Sequence, residues 1–308
     1  MDNILREDGV IYEGTAEGCV YAWVHRRRNA LTERSLLADE TFTEQVAWAL
    51  LEPDTQPRAF QSAGTVVLIL RAINQGKGKE PEDMVSLRLA IRPERIVSVE
   101  VRRLPVIDGL IAEFRSDEAP ETVNDFVIHV IETLRMEVEP VLDALEAEIG
   151  ALEIRSAGAG GFLSAQARAQ LADLRQDAIL LLRFLAPQAQ ALERLGALAP
   201  GWLTDPGTLQ EEAEGFRRMV SDLESVRERG KIVAEELATA SNERLNRTMV
   251  TLSMVSVVFL PLTFLTGLFG VNLEGIPFAE SDWSFDVFAL LMLLVGALGA
   301  LIAARLLR

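Results

Sequence analysis

The sequence has few of the side chains that catalytic centres and tightly held metal sites require. Among 308 residues there are one cysteine, Cys19, and two histidines, His25 and His129. A single cysteine excludes an intramolecular disulfide and a thiolate metal cluster. Slowly exchanging zinc sites use cysteine and histidine at defined spacing, which these residues lack, so we expect all three to be structural. They cannot supply a nucleophile, a base and an orienting group, so we predict that the protein is not an enzyme.

Basic residues are also scarce relative to acidic ones. The chain has 30 Lys and Arg residues against 46 Asp and Glu residues, a formal net charge of −16. Such a surface repels phosphates, which argues against nucleic acid as a partner. The sign is compatible with attracting cations, and it equally fits a solvated surface that keeps a protein soluble. The start of the chain, MDNILREDG, lacks the basic and then apolar layout of a signal peptide, so we expect the N-terminal part to be cytoplasmic.

Long apolar runs are confined to the last quarter of the chain. Thr248–Asn272 contains no Lys, Arg, Asp, Glu or His. About 20 apolar residues cross a hydrocarbon core of roughly 30 Å, so residues 248–269 predict a first membrane span. A second apolar run, Phe285–Ala304, predicts a second span after an outer loop at 270–284. We assign residues 248–308 to this transmembrane hairpin.

The first span carries a stripe of small and polar residues. They recur at spacings of three, four and seven, which places them on one helix face: Asn246, Met249, Ser253, Ser256, Thr263, Gly267 and Gly270. Unsatisfied polar groups are costly in hydrocarbon, so this face needs a partner or water. Several copies of the chain around a shared axis would supply both.

Charges flanking the two spans predict their orientation. Arg244 and Arg247 precede the first span, and Arg305 and Arg308 follow the second. By the positive-inside tendency both termini are cytoplasmic. The loop then faces outward with its acidic residues, which are Glu274, Glu280, Asp282 and, just beyond it, Asp286. Copies of this loop around a mouth would concentrate cations, and the alternative is that the acids merely end an extracytoplasmic loop.

Residues 1–118 predict a small α/β domain. Runs rich in Val, Ile and Leu predict strands at Cys19–Val24, Thr65–Ile73, Val85–Ile91 and Ile96–Val101. The spacing in Thr41–Leu51 predicts a helix. The turn at 74–79 lacks the Gly spacing and the Ser or Thr of a phosphate loop, so a flexible hairpin-type loop is expected.

Residues 119–247 predict a helical bundle and stalk. From Glu121 an apolar repeat near 3.5 predicts a long coiled-coil helix, and the glycines and alanines at 157–161 end it. A second helix is expected from Ser164, with a kink at Pro187. Asp205-Pro206 resembles a helix N-cap and first turn, and a helix from there to Phe269 is roughly 90 Å long. These helices also carry acidic side chains, which include Glu132, Glu137, Glu139, Asp143, Glu146 and Glu148. They predict a solvated face or, alternatively, sensing of a divalent ion between subunits.

The stretch Ser241–Asn272 resembles the signature region of the CorA superfamily of divalent-metal transporters. Gly270-Val271-Asn272 stands where that family has Gly-Met-Asn, and Leu273–Pro277 resembles the ZntB zinc-transporter branch. The resemblance implies an α+β membrane protein that assembles as a funnel-shaped homopentamer. An N-terminal cytoplasmic α/β domain, long coiled-coil stalk helices and two C-terminal transmembrane helices would compose it. Val271 departs from the family motif, and the residues after Gly275 are less rich in glycine than the zinc branch.

The resemblance also implies site residues. With the polar stripe it places the pore lining at Asn246, Met249, Leu252, Ser256, Thr263 and Gly267, and the selectivity filter at Gly270, Val271 and Asn272. Asn272 would contact the metal. Neutral oxygens can hold a hydrated ion strongly enough that it enters the pore and weakly enough that it leaves again.

Three hypotheses follow for the function. The first is zinc transport across the inner (plasma) membrane, and the second is a CorA-like magnesium or cobalt channel. The third belongs to another class, a membrane-anchored coiled-coil scaffold or sensor. The predicted partners are other copies of the chain, the bilayer and the transported divalent cation, with no cofactor.

Overall fold

The structure is a computed structural model that describes residues 10–53, 55–74, 84–116, 118–158, 163–270, 281 and 283–306. These residues form two compact units. The first contains the described residues up to Gly158 and those of Leu163–Ala234, and the second contains those from Glu235 onward.

A six-stranded sheet lies at the centre of the described part of the first unit. Its strands are β1 Val10–Gly14, β2 Ala22–Arg27, β3 Arg58–Ser62, β4 Thr65–Ala72, β5 Val85–Arg92 and β6 Arg95–Glu100. Their spatial order is β1-β2-β6-β5-β4-β3. Strands β2 and β6 pair in parallel, and the other neighbouring strands pair antiparallel. All residues of β4 are buried, as expected of a strand covered on both faces.

Side chains at helix starts explain where several helices begin. The helices are α1 Ala30–Leu37, α2 Glu44–Leu51, α3 Pro105–Arg115, α4 Val123–Gly158, α5 Ala165–Leu198, α6 Pro206–Phe269 and α7 Ser284–Leu306. Asn29 accepts hydrogen bonds from the first backbone N–H groups of α1, and Ser164 does the same for α5. Asp205 accepts the Thr208 N–H at 3.0 Å, and Pro206 occupies a position where no N–H is needed. The predicted start of the long helix is confirmed.

Helices cover both faces of the sheet. Neighbouring side chains of a strand point to opposite faces, so Trp23 and Val24 of β2 lie in different layers. Val24 belongs to a buried cluster that includes residues of α1 and α2. Trp23 lies between Phe114 of α3 and Phe126 of α4, with ring centroids 4.9 and 5.3 Å apart. The predicted α/β domain is therefore an α/β/α sandwich.

Most of the predicted elements are present, with some differences. The predicted strand Cys19–Val24 is displaced, because β2 begins at Ala22 and its parallel ladder with β6 continues to Arg27. Strands β1 and β3 and helices α1 and α3 were not predicted. Both strands are short sheet edges whose side chains are only partly buried, so their apolar pattern is weak. Gln75–Lys79 of the predicted hairpin-type loop lie outside the described residues.

Helices α4, α5 and α6 form the helical part of the first unit. The apolar residues of the repeat near 3.5 are buried along α4, which confirms the repeat: Val127, Ile131, Leu134, Val138, Leu142, Leu145, Ile149 and Leu152. Pro187, where a kink was predicted, lies inside α5, and the helix continues beyond it to Leu198. Ion pairs join α4 to α6: the Arg135 Nε lies 2.8 Å from Glu212, and an Arg229 guanidinium nitrogen lies 2.6 Å from Glu153.

Candidate functional site

The second unit contains two helices whose length and hydropathy suit membrane spans. The apolar window in α6 has a mean hydropathy of 2.0, and that in α7 has 2.5. Among the described residues these two helices meet this criterion. Helix α6 ends at Phe269, and α7 covers Phe285–Ala304.

Helix α7 lies against one face of the apolar part of α6. A Cβ added to Gly299 would lie 3.3 Å from the Val258 Cα, so the two backbones approach closely at this glycine. One added to Gly296 would be in ordinary contact with Leu262, at 3.7 Å. The rings of Phe269 and Phe288 lie 5.3 Å apart near the other end of the contact. Small residues permit this approach, as in many membrane helix pairs.

The predicted pore-lining residues lie on the opposite face of α6. The half-buried positions of this segment are Met254, Val258, Leu262 and Leu265, which is the face toward α7. Residues of an α-helix are rotated by about 100° each, so the predicted pore positions centre about 160° from that face. They are exposed in the chain, with Leu252 at 67% and Met249 at 65%. Asn246 lies toward the edge of this exposed face.

Hydroxyl groups on the exposed face are held by the helix itself. The Ser256 hydroxyl donates to the Leu252 carbonyl at 2.9 Å, and the Thr263 hydroxyl donates to the Phe259 carbonyl at 2.8 Å. Each hydroxyl oxygen keeps lone pairs that can accept further hydrogen bonds. A hydrated cation surrounds itself with water molecules whose hydrogens point outward. The face can therefore accept hydrogen bonds from such a shell without contributing a charge.

At Gly270, the last described residue before the outer loop, a side chain would collide with the backbone. A Cβ there would lie 2.8 Å from the Thr266 carbonyl oxygen. The reason is this close approach and not an unusual backbone angle, because positive φ among the described glycines occurs at Gly18 and Gly64. The other predicted filter and loop residues lie outside the described residues, and they are Val271, Asn272, Glu274, Glu280 and Asp282.

The two histidines and the cysteine lie in the first unit. His25 is fully buried, and its Nδ1 lies 2.8 Å from the Ser98 hydroxyl. His129 lies 3.3 Å from a Glu113 oxygen, and the Cys19 thiol donates to the Pro120 carbonyl. Within the described ranges, no group of three or more His, Cys, Asp and Glu residues is arranged to hold a metal ion.

The acidic residues of α4 do not form a uniformly solvated face. Glu137 is half-buried, and burial raises the pKa of its carboxyl to about 7. Glu139 forms a hydrogen-bonded ion pair with Arg135, four residues earlier. The prediction of a solvated outer face was therefore wrong for Glu137, because an apolar seam on one side of a helix also shields the side chains at its edge.

Sequence reasoning missed two features of this hairpin. Pro261 lies inside α6, where it has no N–H to donate to the Val257 carbonyl. Gly296 and Gly299 mark where α7 meets α6, and their spacing of three within an apolar run was a usable signal of close helix packing. Both features concern the face toward α7 and not the exposed polar face.

Together the fold and this face define a class of protein. An α/β/α domain is joined to an apolar hairpin whose first helix exposes uncharged oxygens, which is the chemistry of a cation transporter in a membrane. Residues 19–308 match the CorA-like Mg²⁺ transporter protein family, and the chain belongs to it. Its class of function is the transport of divalent cations, and not enzymatic catalysis. This excludes the scaffold hypothesis.

Curated relatives and a solved structure resemble nearly the whole chain. The divalent cation transporter CmaX of Pseudomonas aeruginosa is 30% identical over 279 residues, covering 88% of this chain and 82% of the relative. The zinc transport protein ZntB of Cronobacter sakazakii is 31% identical over 271 residues, covering 86% and 80%. The full-length CmaX structure has a TM-score of 0.83 and 28% identity, covering 98% of this chain and 99% of that one.

Proposed function

We propose that the chain transports zinc through a central path lined by the exposed face of α6. Met249, Leu252, Ser256, Thr263 and Gly267 line this path, with Asn246 at its cytoplasmic end. The observation that carries the proposal is the position of the polar face opposite α7. Because α7 covers one side of α6, a ring of copies with α7 outside would direct this polar face toward the shared axis.

The proposed assembly is a homopentamer in the inner membrane with both termini in the cytoplasm. The cytoplasmic α/β domain comprises residues 1–118. The helical bundle with stalk comprises residues 119–247, and the transmembrane hairpin comprises residues 248–308. Gly270, Val271 and Asn272 form the selectivity filter, and Asn272 supplies an oxygen to the ion. Glu274, Glu280 and Asp282 attract cations to the outer mouth.

Magnesium or cobalt is the second candidate cargo. The family description names Mg²⁺. Relatives of similar identity are named as transporters of zinc or of divalent cations in general. Neutral oxygens suit a magnesium ion that keeps its water, and zinc sheds water more readily and can use the same path. The resemblance of residues 273–277 to the zinc branch favours zinc.

Ion flux into proteoliposomes tests the cargo. Purified protein is reconstituted, and uptake of Zn²⁺, Mg²⁺ and Co²⁺ is compared at equal concentration and at two pH values. We expect zinc uptake to exceed the other two. Faster uptake of magnesium or cobalt would make that ion the cargo in place of zinc. A difference in uptake between the two pH values would indicate proton coupling.

A matched pair of substitutions tests the path. Thr263→Val removes a hydroxyl from the exposed face, and Thr251→Val removes one on the side of α6 toward α7. Both hydroxyls donate to the carbonyl four residues earlier, at 2.8 Å, so the effect on the helix itself is the same. We expect flux to fall severalfold for Thr263→Val and to be unchanged for Thr251→Val. Equal effects would contradict the assignment of the path to this face.

A further inference from the structure

At one end of the hairpin, α6 extends beyond α7. The two helices run antiparallel, and Gly299 of α7 lies against the Val258 backbone of α6. Counting six residues onward in α7 and six residues back in α6 from this contact places Arg305 at the level of Leu252. Helix α7 ends one residue later, at Leu306, whereas α6 continues to lower residue numbers. The side of α6 that α7 covers is therefore not covered by α7 before this level.

Arg247 lies on this uncovered side of α6. It precedes Val258 by eleven residues, which is about three helical turns, so both residues lie on the side toward α7. Along the helix axis it is about 8 Å from the level of Arg305. Both arginines are exposed, and within the part of the chain that the structure describes neither guanidinium belongs to an ion pair. Arginines from two different helices therefore lie at the same end of the hairpin.

The acidic residues of the second unit lie away from these two arginines. They are Glu235, Glu236, Glu243, Glu274, Glu280, Asp282 and Asp286. The last four occur in the sequence between the end of α6 and the first turn of α7, which is the opposite end of both helices. The first two precede Arg247 by eleven residues or more, about 16 Å along the axis, which exceeds the screening length of about 8 Å at physiological salt. Glu243 is offset by its neighbour Arg244. Arg247 and Arg305 therefore keep a positive excess within this unit.

An apolar strip on α7 leads to Arg305. Residues spaced by three and four share one side of a helix, and this side contains Leu291, Leu294, Leu298, Leu301 and Arg305. The four leucines are between 41% and 61% exposed. The strip lies about 120° around α7 from the side that contacts α6, so the α6 of the same chain does not cover it. A phospholipid has the same layout, with apolar chains that end at a charged headgroup.

We propose that this end of the hairpin binds one anionic phospholipid per chain. The headgroup lies between Arg247 and Arg305, and the acyl chains follow the leucine strip of α7. Guanidinium groups pair with phosphate oxygens in charge-assisted hydrogen bonds, and basic sites between membrane helices bind anionic headgroups. The proposal rests on the proposed function in one respect, because α7 faces lipid only if it lies outside the ring. The lipid site is distinct from the ion path, since Arg247 lies on the side of α6 opposite to that path.

Native mass spectrometry of the full-length protein in detergent tests the proposal. The probes are anionic phosphatidylglycerol and zwitterionic phosphatidylcholine with the same acyl chains, added at equal concentration. We expect the protein to retain phosphatidylglycerol in preference, with one molecule per chain, and inorganic phosphate should not displace it. Arg305→Gln should lower the preference about fivefold, which corresponds to about 1 kcal/mol, and Arg247→Gln with Arg305→Gln should lower it further. Retention of phosphatidylcholine should be the same in all variants.

Arg218→Gln with Arg227→Gln is the matched control. It removes two exposed arginines from the same helix, of which Arg227 is about 30 Å from Arg247 along the axis. The lipid preference of this variant should equal that of the unchanged protein. Arg305→Gln alone, near the end of α7, gives the answer if the double variant at the lipid site does not fold.

Three results would overturn the proposal. They are equal retention of the two lipids, a preference that survives the loss of both arginines, and displacement of the lipid by inorganic phosphate. The last result would mean that the site binds phosphate itself. The same spectra report the number of chains in the assembly, so a pentamer without lipid preference would contradict the lipid site alone. None of these results depends on ion flux.

Discussion

At the scale of single residues, Glu137 shows how packing changes a side chain that looks ordinary in the sequence. One of its carboxylate oxygens is buried and has no hydrogen-bond partner among the described residues. Burial raises its pKa from 4.5 to about 7. The folded state therefore favours the neutral carboxyl. The stability linked to this group is complete below pH 4.5 and is lost as the pH rises through about 7.

Glu137→Gln should remove this pH dependence. The shift corresponds to an upper limit of about 3 kcal/mol, and we expect about 1–2 kcal/mol because the group is only half-buried. The thermal unfolding midpoint of the full-length protein in detergent, measured from pH 5 to 8, should fall less steeply for the variant. Glu148→Gln, an exposed position on the same helix, should follow the original curve. Identical slopes for all three proteins would show that Glu137 titrates normally.

Asn272 is the residue on which the proposed filter depends most. Each subunit of a ring would contribute one amide oxygen, so Asn272→Ala removes the same contact from every side of the ion. With a cost on the order of 1 kcal/mol per hydrogen bond, the loss multiplies around the ring and flux should nearly vanish. The flux is measured as uptake of Zn²⁺ into proteoliposomes.

The competing role for Asn272 is a helix cap in a left-handed conformation, which glycine also fills. Asn272→Gly keeps such a cap and deletes the oxygen. If this variant assembles normally and transports at the original rate, the filter assignment is wrong. Gly270→Ala should also reduce flux, because its Cβ would meet the Thr266 carbonyl oxygen at 2.8 Å.

At the scale of elements, the contact between α6 and α7 depends on two glycines that differ in available space. At Gly299 an added Cβ would lie 3.3 Å from the Val258 backbone, and at Gly296 it would touch the end of a Leu262 side chain at 3.7 Å. A backbone atom cannot move aside as a side chain can. The two positions should therefore respond differently to the same substitution.

Gly299→Ala should destabilise the hairpin by about 1 kcal/mol or more, since overpacking forces the helices apart. Gly296→Ala should be neutral or stabilising, because alanine is the better helix former by about 1 kcal/mol. Thermal unfolding of each variant in detergent, followed by fluorescence-detected gel filtration, measures the difference. Equal midpoints would mean that α7 does not approach α6 closely at Gly299.

At the scale of the whole molecule, the exposed polar face of α6 needs contact with other copies of the chain or with water. One helix, or a pair, cannot enclose an aqueous path. The solubilised protein should have the mass of five chains, which native mass spectrometry or light scattering can determine. A monomer or dimer that still transports would contradict both the pentamer and the central path.

The outer acidic loops should act through long-range attraction. Replacing Glu274 and Asp282 together by Gln and Asn should reduce flux most at low ionic strength, because salt screens surface charges over roughly 10 Å at 0.1 M. Uptake is compared at low and high salt, with Glu94→Gln, an acid in the turn between β5 and β6, as a control. An effect of the loop change that is the same at both salt concentrations would mean that these acids act through direct contact.

The sequence by itself determined the elements whose physical signal is local. A run without charges long enough to cross a bilayer predicts a span whatever surrounds it, and α6 and α7 end close to where that rule places them. The capping residues Ser164 and Asp205 act within their own helix turn, so the starts of α5 and α6 were predictable. The family signature that ends at Asn272 is a run of neighbouring residues, so it was also visible in the sequence alone.

The tertiary structure alone decided which faces meet. The edge strands β1 and β3 form because a neighbouring strand offers its hydrogen bonds, and their own residues carry little apolar pattern. The pKa of Glu137 depends on what covers it, and the parallel pairing of β2 with β6 joins segments that are far apart in the chain. The polar stripe of α6 was visible in the sequence, but its position opposite α7 required the contact at Gly299, because a helix pattern fixes which residues share a face and not what that face contacts.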